Sequence, residues 1–125
     1  MELNEFIPEG LEPIQLEQLG RQLSNEVMSL GRLVAQYENE FNARSREYKL
    51  ELAKSKILNK DSKYTPTMIN AIAETCDSVI NAGYDLQQAG ANLLIGRAEL
   101  SGREGQLQLV KKSIDLKIQE TRVFK

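Results

Sequence analysis

The fold follows from the stretch VINAGYDLQQAGANLLIGRAELSGREGQLQLVKKSI, residues 79–114. Apolar residues recur in it every seven positions without a gap: Val79, Leu86, Leu93, Leu100, Leu107 and Ile114. A second row lies three residues further on and begins with the small residues Ala82, Ala89 and Gly96. Such paired rows are typical of a long helix that packs along another helix. We therefore expect one helix over residues 77–123.

A matching pattern lies in the first half of the chain. Val27, Val34, Phe41 and Tyr48 are spaced by seven, and so are Leu23, Leu30 and Tyr37. The pattern predicts a second long helix over residues 13–58, in which Pro13 fits the first turn because its missing N–H is not needed there. Arg44 takes the next place in the second row, where a charged side chain either ends the apolar seam or reaches to its edge.

The connection between these helices is polar over residues 59–64. Thr65 can cap a helix and Pro66 fits its first position, so a short helix is expected over residues 66–76. Residues 1–12 contain Pro8 and Gly10 and predict an irregular arm, with Phe6 and Ile7 as its anchors.

Together these segments predict an all-α protein with a single helical domain over residues 1–125. Its architecture is a long antiparallel helical hairpin with a short connecting helix, and matching the ends of the two arms puts Phe41 near Leu94. A lone hairpin buries only one stripe of each helix, so we expect self-association into a helical bundle or ring.

Four glycines of the last helix, Gly83, Gly90, Gly102 and Gly105, need an explanation. Each costs a helix up to about 1 kcal/mol relative to alanine. Two explanations are open: close packing against the facing helix, or a kink in the segment 101–105.

The residue types exclude several kinds of chemistry. The chain has no histidine, which is the commonest general base and transition-metal ligand. Cys76 is the only cysteine, so no internal disulfide and no cysteine-based metal site is possible, and we interpret it as a small buried or half-buried residue. No phosphate-binding glycine loop is present. We expect a protein that is not an enzyme and has neither a cofactor nor a metal site.

The chain also has no membrane or targeting signal. No apolar run approaches the roughly 18 residues needed to span a bilayer. Met1 to Leu19 carries five acids and no Lys or Arg, unlike a secretory or mitochondrial leader. We expect a cytoplasmic protein with no membrane partner.

The charge distribution is uneven although the net charge is only −2. Two stretches, residues 44–63 and 97–125, hold 14 of the 16 basic residues, with seven in each. In an antiparallel hairpin the second stretch lies beside the acidic first half of the first helix, and this complementarity favours antiparallel pairing. The first stretch has fewer acids near it.

Residues 44–64 combine basic side chains with aromatic ones, and that combination binds single-stranded nucleic acid through phosphate contacts and base stacking. The candidate residues are Arg44, Arg46, Lys49, Lys54, Lys56, Lys60, Lys63 and Tyr64. Tyr64 is the better stacking candidate because Tyr48 belongs to the apolar seam. A solvated basic surface with no ligand explains the same charges.

Three stretches in order carry a family resemblance: EYKLELAKSK at 47–56, PTMINAIAET at 66–75 and IDLKIQETRVFK at 114–125. In layout and apolar pattern, over about residues 27–124, the chain resembles the recombination mediators of T-even phages. Those are small helical proteins that form rings, bind single-stranded DNA and help load a recombinase. The resemblance implies an oligomeric accessory protein of DNA recombination or replication that works in the host cytoplasm with single-stranded DNA and a recombinase as partners.

Two other functions fit the same pattern. One is a non-catalytic adaptor or inhibitor, for example of a host defence system, whose hairpin faces bind another protein. The other is a structural coiled-coil element of a larger particle.

Overall fold

A computed structural model describes residues 10–61 and 63–123, with side chains as far as residue 120. These residues form three helices and no strand: α1 (Pro13–Leu58), α2 (Pro66–Glu74) and α3 (Asp77–Val123). The long helices α1 and α3 pack against each other, and the short helix α2 connects them. The predicted all-α hairpin with a short connecting helix is therefore confirmed, whereas its assembly stays a prediction.

Helix α2 begins as expected but ends two residues early. The Thr65 side chain accepts a hydrogen bond of 3.2 Å from the Met68 N–H and so caps the helix. At the other end Thr75 is the C-cap, and its hydroxyl donates to the Ile72 carbonyl at 2.7 Å. The Cys76 carbonyl already accepts from the Ile80 N–H at 3.0 Å. Extending α2 to residue 76 was wrong because Cys76 serves the start of α3.

Only the end of the predicted arm is described. Leu11 packs against the core, and the Glu12 N–H donates to the Gln15 side chain at 2.9 Å just before α1 begins. The expected anchors Phe6 and Ile7 lie outside the described residues.

The chain divides into two compact units. Within the described residues, unit 1 comprises 10–34 and 96–123, and unit 2 comprises 35–95. Each unit contains part of α1 and part of α3, so the single domain expected from the sequence stays a prediction.

The core of unit 1 joins three leucines of α1 to one valine of α3. Leu16, Leu19, Leu23 and Val110 are buried together. Further along the pair, the Arg103 guanidinium of α3 lies 3.3 Å from the Glu26 carboxylate of α1. The same guanidinium donates at 2.9 Å to the side-chain oxygen of Gln106, which is fully buried on α3. A buried amide oxygen without a donor is costly, so the bond from Arg103 stabilises the buried Gln106 within α3, while the ion pair with Glu26 joins α3 to α1.

In unit 2 aromatic rings of α1 lie on glycines of α3. A Cβ atom placed on Gly90 would be 3.4 Å from the Phe41 ring, and one on Gly83 would be 3.6 Å from the Tyr48 ring. Since the partner's number falls as the number along α1 rises, the helices are antiparallel. The neighbouring α3 positions Ala82 and Ala89 are buried and small, which leaves room for the rings.

The expected register was wrong by four residues, about one helical turn. Phe41 lies against Gly90, and Leu94, its expected neighbour, is 69% exposed. Matching the ends of two arms ignores side-chain size. The rings of α1 lie where α3 lacks side chains, and this packing sets the register.

The four glycines of α3 that need an explanation fall into two groups. Gly83 and Gly90 meet an aromatic ring, as the explanation by close packing requires. Around Gly102 and Gly105, by contrast, an added Cβ would find nothing within 4 Å. Helix α3 continues through this segment without a break, and the alternative explanation, a kink at 101–105, stays a prediction.

These environments predict opposite effects of the same substitution. Gly90→Leu should lower the free energy of unfolding by about 1–3 kcal/mol, because the new side chain displaces the Phe41 ring. Gly102→Leu should raise it by up to about 1 kcal/mol, since leucine favours the helix and meets no neighbour. Urea unfolding followed by circular dichroism measures both. Equal effects of the two substitutions would contradict the ring-on-glycine packing.

Candidate nucleic-acid interface

All eight candidate residues lie in unit 2. Five belong to the second half of α1, and three lie between α1 and α2. On α1 these are Arg44, Arg46, Lys49, Lys54 and Lys56; in the connection they are Lys60, Lys63 and Tyr64. Their surroundings divide them into groups that the sequence does not distinguish.

Arg44 is held by three carboxylates. Its guanidinium lies 2.7 Å from Glu40, 2.9 Å from Glu47 and 3.9 Å from Asp85 on α3. Hydrogen bonds to Glu40 and Glu47 raise the pKa of Arg44 above its usual value. Arg44 thus lies at the edge of the seam with its charge paired, as one of the two sequence interpretations expects. A phosphate would have to compete with these acids.

Lys54 is also paired. Its amine lies 3.7 Å from the Glu51 carboxylate, one turn away on the same helix. Exposed pairs of this kind are weak. Even so, an acid beside the amine lowers the local positive potential, so Lys54 offers less to an anion than an isolated lysine does.

Arg46, Lys49 and Lys56 form the second group. Their spacing of three and seven residues puts them along one side of α1, over a rise of about 15 Å. Arg46 and Lys49 are exposed and Lys56 is half-buried. Within the described residues none of the three forms an ion pair. This side of α1 therefore presents cations without acids.

Two aliphatic side chains share this side of α1. Leu50 is 54% exposed and Ile57 is 73% exposed. They follow Lys49 and Lys56 directly and are themselves seven residues apart. We call these five residues, Arg46, Lys49, Leu50, Lys56 and Ile57, the basic face. Its aliphatic members were not among the candidate site residues, although their heptad spacing outside the apolar seam signals a second surface.

The position of one cation of the basic face is explained by the end of the helix. Lys56 lies in the last turn of α1, where the unpaired carbonyls of a helix favour a cation. Arg46 and Lys49 lie two or more turns before the end and gain little from this effect. The helix end thus accounts for one of the three cations of the basic face.

The connection forms a turn around Asp61. Its side chain accepts from the Lys63 N–H at 2.9 Å, and its carbonyl accepts from the Tyr64 N–H at 3.0 Å. Aspartate often stabilises turns in this way. The carboxylate also lies between Lys60 and Lys63 in the chain and reduces their combined charge. Tyr64 is 39% exposed, so one part of its ring is accessible for stacking.

A small polar cluster fixes the end of α1 beside the start of α3. The buried Ser55 hydroxyl lies 2.8 Å from the Cys76 sulfur, and the Asn59 amide donates to the Ser55 carbonyl at 2.7 Å. Cys76 is half-buried, as expected. Ser55 was missed as a packing residue, although it lies seven residues after Tyr48 and so continues the heptad row.

The described residues lack the features of several other kinds of site. No three His, Cys, Asp or Glu side chains among them are grouped to hold a metal ion. None of their helices has the length and apolar character to cross a bilayer.

Comparisons of the chain with models of protein families, with curated proteins and with solved structures give no match. The resemblance to phage recombination mediators therefore stays a prediction from the sequence.

Proposed function

We propose that the protein is a non-catalytic accessory protein of DNA recombination or replication that binds single-stranded DNA through unit 2. The basic face supplies phosphate contacts, and Tyr64 supplies a stacking surface. The recombination context, the recombinase partner and the location in a host cytoplasm come from the resemblance alone.

One observation carries the proposal: the cations of the basic face have no acidic partner among the described residues. Arg44 and Lys54, which lie on the same helix, contact acids instead. A row of cations without such partners attracts a polyanion, because each phosphate it binds releases a condensed counterion. Three contacts give weak binding, so a functional affinity needs several copies acting together.

Self-association is accordingly part of the proposal. Five aliphatic side chains are each at least 46% exposed: Ile57, Ile95, Leu109, Leu116 and Ile118. Exposed aliphatic residues in such number favour an interface.

A protein-binding adaptor or inhibitor is the second candidate. It is favoured by exposed apolar residues of unit 2 that nucleic acid does not need: Ile80, Tyr84, Leu94 and Ile95. Under this alternative the basic face contacts an acidic protein surface.

Removal of two charges from the basic face tests the proposal. Lys49→Gln with Lys56→Gln should weaken binding to a labelled single-stranded oligonucleotide, similarly for all sequences. It should also reduce the slope of log affinity against log salt by up to about 1.4, since each lost phosphate contact contributes roughly 0.7. Fluorescence anisotropy over a salt series measures both quantities.

The matched control is Arg44→Gln with Lys54→Gln, which removes the same charge from paired positions. Affinity should change much less in this variant. An equal loss in both variants would show that only net charge matters and would refute the basic face as a site. If the wild-type protein binds no single-stranded oligonucleotide at low salt, the DNA proposal fails and the adaptor takes its place.

Substitutions of Tyr64 distinguish base stacking from a structural role of the ring in the loop. Tyr64→Ala should reduce DNA affinity by about 1–3 kcal/mol if a base stacks on the ring, and Tyr64→Phe should preserve it. Both variants should unfold at the urea concentration of the wild type. Unchanged affinity of Tyr64→Ala would remove Tyr64 from the site.

A further inference from the structure

One side of α3 in unit 2 is exposed although it carries no charge. Its residues follow one another at steps of four, three, four and three, which places them along a single side of the helix. They are Ile80, Tyr84, Gln87, Ala91 and Leu94. All five are exposed, and the fractions reach 65% for Tyr84 and 69% for Leu94. We call these five residues the neutral face.

The surroundings of the neutral face are also nearly free of charge. Between Ser78 and Ile95 the only charged residue is Asp85, although charged residues make up 27% of the chain. The Asp85 carboxylate lies 3.9 Å from the Arg44 guanidinium of α1 and so belongs to the seam between the helices. Depletion of charge distinguishes the centre of a protein–protein interface from the rest of a surface. The neutral face therefore has the composition of an interface.

The order of large and small residues suits a second copy of the same face. Ile80 and Leu94 lie seven residues before and after Gln87. A twofold axis at Gln87, with the two helices antiparallel, places Ile80 of one copy opposite Leu94 of the other. The same axis brings the Tyr84 ring beside the small side chain of Ala91, and close packing requires such a fit of large to small.

Charge and hydrogen bonding agree with this symmetry. A twofold interface brings each residue near its axis against the same residue of the other copy, so a charged residue there would meet its own charge. Gln87 avoids this repulsion. Its amide both donates and accepts, so two Gln87 side chains can bond to each other. A polar pair at the centre of an apolar helix contact also fixes the register.

We propose that the neutral face binds the neutral face of a second copy of this chain, with the helices antiparallel about a twofold axis at Gln87. The contact covers Ile80, Tyr84 and Leu94, which the hairpin itself leaves exposed. It deepens the self-association on which the proposed function depends. The basic face belongs to α1 and lies outside the contact, so the dimer presents two basic faces to one strand of DNA.

Thiol crosslinking tests the pairing without DNA. The single cysteine is first removed by Cys76→Ser. In this background Gln87→Cys should be linked into a dimer by a short bismaleimide, because the axis brings the two thiols together. Ile80→Cys and Leu94→Cys should each stay unlinked alone, since the antiparallel arrangement separates identical positions by about 21 Å along the helix. A mixture of these two variants should give the linked dimer on a denaturing gel.

Two results would overturn the pairing. One is the absence of a linked dimer both for Gln87→Cys and for the mixture. The other is equally strong linking of Ile80→Cys alone and Leu94→Cys alone, which would mean parallel copies.

Added charge gives an independent measurement. Ile80→Glu with Leu94→Glu puts four carboxylates into the dimer contact and should lower the mass that light scattering reports. The control, Leu109→Glu with Leu116→Glu, adds the same charge at positions of α3 in unit 1 that are 46% and 51% exposed, and it should still dimerise. A wild-type mass of one chain, 14.1 kDa, would overturn the proposal and leave the neutral face to a different protein. An unchanged mass of the first variant would overturn it as well.

The same pair of variants separates the interface from the proposed function. The first variant should bind single-stranded DNA about tenfold or more weakly than the control, because one basic face replaces two that act together. Equal affinities of the two variants would contradict the role of the dimer in DNA binding. If the wild-type protein binds no DNA, the proposed function fails, whereas the crosslinks still decide the interface.

Discussion

The surface of unit 2 depends on the packing of two aromatic rings on two glycines. Phe41 lies on Gly90 and Tyr48 on Gly83, at distances that leave space for little more than a methyl group on α3. These contacts fix both the register and the rotation of α1 against α3. Once the side of α1 that carries Phe41 and Tyr48 is buried, helical periodicity determines where its other side chains lie.

The rotation of α1 determines which of its charged side chains lie near acids. Arg44 comes to the edge of the seam, within reach of Asp85 on α3, and acids of its own helix complete its pairing. Arg46, Lys49 and Lys56 come to a side without acidic partners. One uneven stretch of sequence thus gives two surfaces: one with balanced charges and one open to an anion. A candidate site arises here from the packing of a seam that contains no functional residue.

Helical periodicity predicted the ranges of both long helices, because their apolar residues recur over many turns. The apolar pattern could not predict the register, because sliding one helix by a turn keeps the apolar rows in contact. Only the fit of Phe41 on Gly90 distinguishes the two arrangements. The ion pairs of Arg44 within α1 could be predicted from the sequence, since Glu40 and Glu47 lie four and three residues away on the same helix. Its contact with Asp85 required the register. The burial of Ser55 was not predicted because its hydroxyl is polar, and only the fold brings Cys76 within hydrogen-bond distance of it.

The register places Phe41 against Gly90 and thereby brings Arg46, Lys49 and Lys56 to one side of α1. Nuclear Overhauser effects between aromatic and glycine protons test it most directly in solution. We expect cross-peaks from the Phe41 ring to the Gly90 Hα protons and from the Tyr48 ring to those of Gly83. Cross-peaks from the Phe41 ring to the Leu94 methyl groups, without any to Gly90, would contradict it.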